Sequence, residues 1–131
     1  MKKSGILHPE LARVIASLGH GDGLCIADAG LPVPAGVPRI DLALGPGLPA
    51  FLPVLEAILG EMAVESAVIA EELPARSPAM HREIERRLGR TPIQAVPHER
   101  FKQLTAGCRA VVRTGEFTPY ANVILKSGVV F

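Results

Sequence analysis

His20 stands between two glycines in the run Leu18-Gly19-His20-Gly21-Asp22. Glycine on either side permits a tight bend that holds the imidazole near backbone and leaves it uncovered. An imidazole with an ordinary pKa near ~6.5 both gives and takes protons at neutral pH, the requirement for general acid–base work. Two roles are open to His20: proton transfer, or an exposed loop position with no chemistry. Asp28 closes the apolar run Leu24-Cys25-Ile26-Ala27, and its two oxygens would either orient a histidine and bind hydroxyls or cap the following turn. His98 follows Pro97 at the start of a helical segment, where capping competes with a site role. In Tyr120-Ala121-Asn122, an extended backbone would send the phenol and the carboxamide to one face, a pair suited to reading sugar hydroxyls. A Tyr and an Asn flanking a strand start also occur together without any site. Glu71 and Glu72 end another apolar run, as site residues or as solvated charges, and His8 and His81 read as surface residues near helix starts.

Several other chemistries lack their residues. There is no G-x-x-x-x-G-K-[ST] phosphate loop, no G-x-G-x-x-G turn and no G-x-S-x-G elbow, and no paired Cys or His stands at metal-ligand spacing. Nucleotide, flavin and zinc chemistry are disfavoured, and neither a cofactor nor a metal is expected. Proton transfer by histidine, beside polar groups that bind a small uncharged molecule, is what the inventory supports.

The elements that must position these groups alternate between two periods. Leu11, Val14, Ile15 and Leu18 fall at i, i+3, i+4 and i+7, which predicts a helix from Pro9 to Leu18 with Gly19 at its C′ position. Leu24 to Ala27 reads as a strand buried on both faces, the mark of a parallel sheet. Gly30 to Pro38 is too rich in proline for regular structure and reads as an ordered loop. Ile40–Leu44 reads as a strand, Pro49–Leu59 as a helix ended by Gly60, and Val64–Ala70 as a strand. Ser77-Pro78 opens a helix that Gly89 stops, with Met80, Ile84 and Leu88 on its apolar face. A strand at Ile93–Val96, a short helix from Glu99 to about Ala106, and strands at Ala110–Val112 and Asn122–Leu125 complete the chain. The fold class expected is α/β: one three-layer domain over residues 1–131, with a central, largely parallel sheet flanked by helices, whose sites form beyond the carboxyl ends of the strands.

Composition narrows the partners. The chain has 131 residues, Lys plus Arg at 14 against Asp plus Glu at 13, and four Phe, one Tyr and no Trp. That balance gathers no phosphates and offers few stacking rings, so nucleic acid is not expected. A mean hydropathy of +0.29 is high for a small domain with much surface to cover, which predicts subunit contacts. The longest uncharged stretch, between Asp41 and Glu56, is shorter than the ~20 residues a bilayer needs and is broken by prolines, so no membrane span is expected. Only Ile6-Leu7 follow the opening Met1-Lys2-Lys3 before His8-Pro9-Glu10, which offers no signal peptide and makes the cytoplasm the expected location. Cys25 and Cys108, distant and without C-x-x-C neighbours, are expected to be buried free thiols.

The ordered blocks Leu18-Gly19-His20-Gly21-Asp22, Ala27-Asp28-Ala29-Gly30-Leu31-Pro32-Val33-Pro34, Arg39-Ile40-Asp41-Leu42-Ala43-Leu44, Gly47-Leu48-Pro49, Met62-Ala63-Val64-Glu65, Ile69-Ala70-Glu71-Glu72, Pro97-His98-Glu99-Arg100-Phe101-Lys102 and Arg113-Thr114-Gly115-Glu116-Phe117-Thr118-Pro119-Tyr120-Ala121-Asn122 resemble the D-ribose pyranase family. The resemblance runs nearly end to end and is least distinctive between Glu72 and His98, where any departure from the family fold is expected. It implies a cofactor-free aldose ring isomerase that interconverts the β-pyranose and β-furanose forms of D-ribose and supplies ribose for degradation. It implies that His20 is the general acid and that Asp28, His98, Tyr120, Ala121 and Asn122 contact the sugar. It further implies a ring-shaped homo-oligomer, often a homodecamer of two pentamers, with sites shared between neighbouring subunits. The alternatives are an L-fucose-type mutarotase, against which Gly30-Leu31-Pro32 and Arg39-Ile40-Asp41 speak, and a non-catalytic sugar-binding partner of a ribose transporter.

Overall fold

Every side chain of β1 (Gly23–Ala27) is buried, as its unbroken apolar run requires, because the strand lies inside a sheet covered on both faces. The computed structural model describes residues Met1–Phe131. After α1 (Pro9–Ser17) and β1 come β2 (Arg39–Asp41), α2 (Phe51–Leu59), β3 (Val64–Ala70), α3 (Glu72–Arg76), α4 (Pro78–Leu88), β4 (Ile93–Val96), α5 (His98–Thr105), β5 (Cys108–Arg113) and β6 (Val123–Ser127). They build one six-stranded sheet in the order β2-β5-β1-β6-β3-β4. Strand β6 runs antiparallel to both β1 and β3, while β1 with β5, β2 with β5, and β3 with β4 are parallel. Five strands therefore point one way and the sixth is inserted among them in reverse. The largely parallel three-layer architecture expected from the sequence is present.

Strand alternation divides the core in two. Leu24 and Ile26 of β1 face a cluster with Phe51, Val54, Leu55 and Ile58 of α2, Leu11 and Val14 of α1, and Ile84 and Leu88 of α4. Cys25 and Ala27 face the other way, against Phe101 of α5 and Leu31, with Val33 and Val37 of the proline-rich loop packed alongside. Each fully buried Phe, Leu or Ile contributes about 1.5–3 kcal/mol relative to exposure, so the sheet is clamped from both sides. Both cysteines are free and buried.

Three local expectations need correction. Strand β2 ends at Asp41 rather than Leu44, because Asp41 Oδ1 accepts from Ala43 N (3.1 Å) and Leu44 N turns to Leu48 O (2.9 Å), which peels the chain off the sheet edge. Helix α1 stops at Ser17 with Leu18 extended, and the positive φ falls at Gly21 (+80°) rather than Gly19, where Gly21 N is held by Ser127 O (2.8 Å) across the sheet edge. Helix α3 is additional: Glu71-Glu72 do not merely end β3 but start a short turn of helix leading to α4.

Candidate functional site

A parallel strand delivers its next residue to its carboxyl edge, and a single reversed strand takes its preceding residue from that same edge. Asp28 follows β1, Thr114 follows β5, Glu71 follows β3, His98 lies two residues past β4, and Asn122 precedes the reversed β6. All therefore gather at one edge of the sheet.

Asp28 and Asn122 form its centre. The Asp28 N–H donates to Asn122 Oδ1 (2.8 Å), and Asn122 Nδ2 donates back to Asp28 Oδ2 (2.9 Å). Asp28 Oδ1 accepts from the N–H groups of Gly30 and Leu31, each at 2.9 Å, so the side chain also caps the turn after β1. The capping and site roles raised for Asp28 are thus not exclusive. Asn122 is fully buried and spends its carboxamide on Asp28.

Tyr120 is not extended, contrary to the alternation expected for Tyr120-Ala121-Asn122. Its φ is +63°, a left-handed conformation costing about 1–2 kcal/mol for a non-glycine residue. Two turn bonds impose it, Ala121 N to Thr118 O (3.3 Å) and Asn122 N to Tyr120 O (2.8 Å), with Pro119 between. The turn still brings the phenol and the carboxamide to the same edge, and Tyr120 meets the His98 ring edge-on at 5.0 Å and 86°. His98 stacks on Phe101 (6.4 Å, 12°), its N–H is held by both oxygens of Glu72 (3.1 and 2.9 Å), and its buried Nδ1 has no partner. The capping role open to His98 is not filled by it: Pro97 is the N-cap, His98 is the first residue of α5 with its N–H taken by Glu72, and the ring lines a cavity. Ala121 is fully buried beneath the turn.

A cavity of about 270 Å³ is lined by Asp28, Gly30, Leu31, Pro32, His98, Pro119 and Tyr120. A neighbouring one of about 440 Å³ shares Asp28, Gly30 and Pro119 and extends past Arg113, Glu116 and Phe117. Arg113 braces its floor, with Nε on Ala29 O (3.1 Å) and Nη1 on Asp41 Oδ2 (2.9 Å). Glu116 caps α2 by accepting from Phe51 N (2.9 Å) and holds Thr118 through its N–H (3.2 Å) and hydroxyl (2.7 Å). Burial pushes the Glu116 carboxyl up, but the hydrogen bonds from Phe51, Thr118 and Phe117 together outweigh it and hold the group below the ordinary carboxylate range. Gly115 has no room for a Cβ, which would lie 2.5 Å from Gly45 O and 2.6 Å from Leu48 N, so the loop carrying Leu44 and Leu48 packs directly on the site's backbone. No three of the His, Cys, Asp and Glu side chains are grouped as metal ligands.

His20 is elsewhere. It precedes β1, whereas Asp28 follows it, and five strand residues at ~3.3 Å each put about 17 Å of sheet between the two edges. Its side chain is 63% exposed and its Nε2 lies 2.6 Å from Glu65 Oε2. Beside it, Asp22 accepts from Gly19 N (2.8 Å) and pairs with Arg109 (2.9 Å), and those two contacts hold its carboxyl below the usual range. Of the expected site residues, one chain unites Asp28, His98, Tyr120 and Asn122, with Ala121 beneath them, and leaves His20 on the opposite edge. Glu72, one of the two carboxylates open to a site role, holds the His98 backbone, whereas Glu65, Arg113 and Glu116 carry no local signal of their contacts, although all three fall within the blocks that carry the family resemblance.

Residues 1–130 match the model of the RbsD / FucU transport protein family. The chain is 59% identical over 131 residues to the D-ribose pyranase of Laribacter hongkongensis, covering 100% of each. Its fold superposes on that of Bacillus subtilis RbsD complexed with D-ribose at a TM-score of 0.97, with 51% identity and 100% coverage of both chains. Against the fucose mutarotase of Streptococcus pneumoniae in complex with L-fucose, the TM-score is 0.74 at 27% identity, over 95% of each chain. The chain belongs to the RbsD / FucU family.

Proposed function

We propose that this protein is a D-ribose pyranase, an intramolecular isomerase that interconverts the β-pyranose and β-furanose forms of D-ribose without a cofactor. The observation that carries this reading is the polar cavity at the carboxyl edge, where Asp28, His98 and Tyr120 surround a space of pentose scale. The 59% identity to a D-ribose pyranase, against 27% to a fucose mutarotase, favours ribose over a fucose-type substrate.

Ring opening needs one proton delivered and one removed. His20 in its imidazolium form gives a proton to the ring oxygen, Asp28 takes the proton of the anomeric hydroxyl, the bond from C1 to the ring oxygen breaks and the C1 aldehyde forms. After rotation of the open chain, the alternative hydroxyl attacks C1. It loses its proton to His20 while Asp28 returns one to the carbonyl oxygen, so both groups end as they began. The uncatalysed reaction already proceeds in water, so placement of donor, acceptor and sugar is the whole contribution required.

Because His20 and Asp28 occupy opposite edges of one sheet, the His20 that serves a cavity comes from another copy. Two apolar patches suit that arrangement: Leu44, Leu48 and Phe117 lie exposed at the cavity edge, and Val129, Val130 and Phe131 at the His20 edge. Edge-to-edge packing of unlike patches is heterologous, and such contacts form a ring when the rotation between copies closes. A homodecamer of two pentameric rings fits this scheme. No helix is long and apolar enough to cross a membrane, and a cytoplasmic location fits a catalyst of free ribose. Saturation-transfer NMR on ribose tests the reading: His20→Ala should abolish most exchange between ring forms while the assembly persists, and an unchanged rate would remove His20 from the mechanism.

A further inference from the structure

We propose that Glu65 is the positioning residue for His20, holding its Nε2–H so that Nδ1 is the nitrogen that exchanges protons with the sugar. This rests on the reading of His20 as the acid–base group. Three observations on the His20 edge carry it.

First, Nε2 of His20 lies 2.6 Å from Glu65 Oε2, the length of a strong charge-assisted contact, although the two residues are 45 apart in sequence. Second, Glu65 occupies an irregularity in β3: Val64 pairs with Ser127 and Ser66 with Lys126, so the residue between them has no ladder partner. Such a bulge re-aims a side chain, and this one faces the His20 bend. Gly128 permits the approach, since a Cβ there would stand 3.2 Å from the Glu65 Cβ. Third, the bend itself is fastened on both sides of His20. Gly21 N donates to Ser127 O (2.8 Å), Ser127 N to Asp22 O (2.8 Å), Gly128 N to Ala63 O (2.9 Å), and Gly19 N to Asp22 Oδ2 (2.8 Å). A surface ion pair between two free side chains needs none of this; here the backbone on each side is built to hold the pair in register.

The chemical consequence follows from the imidazole. A carboxylate accepts only, so the nitrogen facing Glu65 carries hydrogen in both protonation states of the ring. The proton that comes and goes is therefore on Nδ1. As imidazolium, Nδ1–H donates to the ring oxygen; as neutral imidazole, bare Nδ1 accepts from the attacking hydroxyl. The Glu65 carboxylate neither gains nor loses a proton in either step, and it spares the ring the search for tautomer and orientation.

Two measurements test this on the assembled protein. In ¹⁵N-histidine-labelled wild type, with the His20 signals identified by their loss in His20→Ala, the neutral ring should be the Nε2–H tautomer; an Nδ1–H tautomer overturns the proposal. In ribose exchange kinetics, Glu65→Ala should lower kcat by about 10-fold or more, part of the ~10²–10⁴-fold that a placed acid–base group supplies, with KM little changed because Asp28, His98 and Tyr120 still bind the sugar. Glu65→Gln, whose carboxamide oxygen still accepts from Nε2–H, should recover most of that loss. Wild-type kcat in an assembled Glu65→Ala protein overturns the role of Glu65 even where His20→Ala is inactive, whereas an active His20→Ala overturns the acid–base reading itself. Should Glu65→Ala fail to assemble, the wild-type tautomer and the Glu65→Gln rate decide.

Discussion

Asp28 and Asn122, 94 residues apart, hold one another by a reciprocal pair of hydrogen bonds, backbone N–H to carboxamide oxygen and carboxamide N–H to carboxylate. This pair joins the end of β1 to the start of the reversed β6 and fixes the carboxylate that faces the cavity. Asn122→Ala would strand the half-buried Asp28 N–H and free one carboxylate oxygen, and losing the two bonds costs about 1–3 kcal/mol. The expected outcome is a lower Tm by calorimetry together with a raised KM for ribose; an unchanged KM would show that the pair does not set the carboxylate.

Glu72 does for His98 what Asn122 does for Asp28. Both of its oxygens accept from the His98 N–H at the first turn of α5. Glu72→Ala removes a cap worth about 0.5–2 kcal/mol and loosens the ring against Tyr120. Thermal unfolding should shift down and ribose binding, followed by NMR titration, should weaken. Full affinity in the variant would confine Glu72 to stability.

Much of this was legible before the structure. The apolar runs at Leu24–Ala27 and Val64–Ala70 became buried strands because length and flanking turns leave a run of that kind little other use. Leu42-Ala43-Leu44 is as apolar as a strand, so its sequence extends β2, and only the turn to Leu48 removes it from the sheet. Tyr120 and Asn122 come to the same edge through the turn at Thr118 to Tyr120 and not through strand alternation, and the Asn122 carboxamide is bonded to Asp28. The contact of His20 with Glu65 was not legible at all. It depends on which strand lies across the edge and on a bulge, and neither leaves a local pattern in one sequence.

Acid should weaken the cavity edge through Glu116. Its folded value is below the ordinary 4.5, because the hydrogen bonds from Phe51, Thr118 and Phe117 outweigh the opposing effect of burial. A depressed carboxyl contributes stability that is fully present above the unfolded value and is lost as pH falls through the folded one. Glu116→Gln should therefore lower Tm near neutral pH and flatten the decline of Tm below about pH 4.5. A parallel decline in both proteins would place the acid sensitivity elsewhere.

The two cysteines should be inert in the native protein. Burial pushes the Cys25 thiol well above its ordinary range, and burial pushes Cys108 up to about 11, so neither carries thiolate at neutral pH. An aromatic disulfide reagent should label neither until denaturant is added. Rapid labelling of the folded chain would mean that the second face of the sheet opens.

The most direct test of a shared site is subunit complementation. His20→Ala and Asp28→Asn, each inactive alone yet still assembled, are co-expressed and the mixed oligomer is assayed by ribose exchange NMR. If His20 of one copy serves the Asp28 cavity of another, about a quarter of the sites regain both intact groups by random assortment around the ring, and activity returns to roughly that fraction of wild type. Mixed oligomers no more active than either parent would contradict the account.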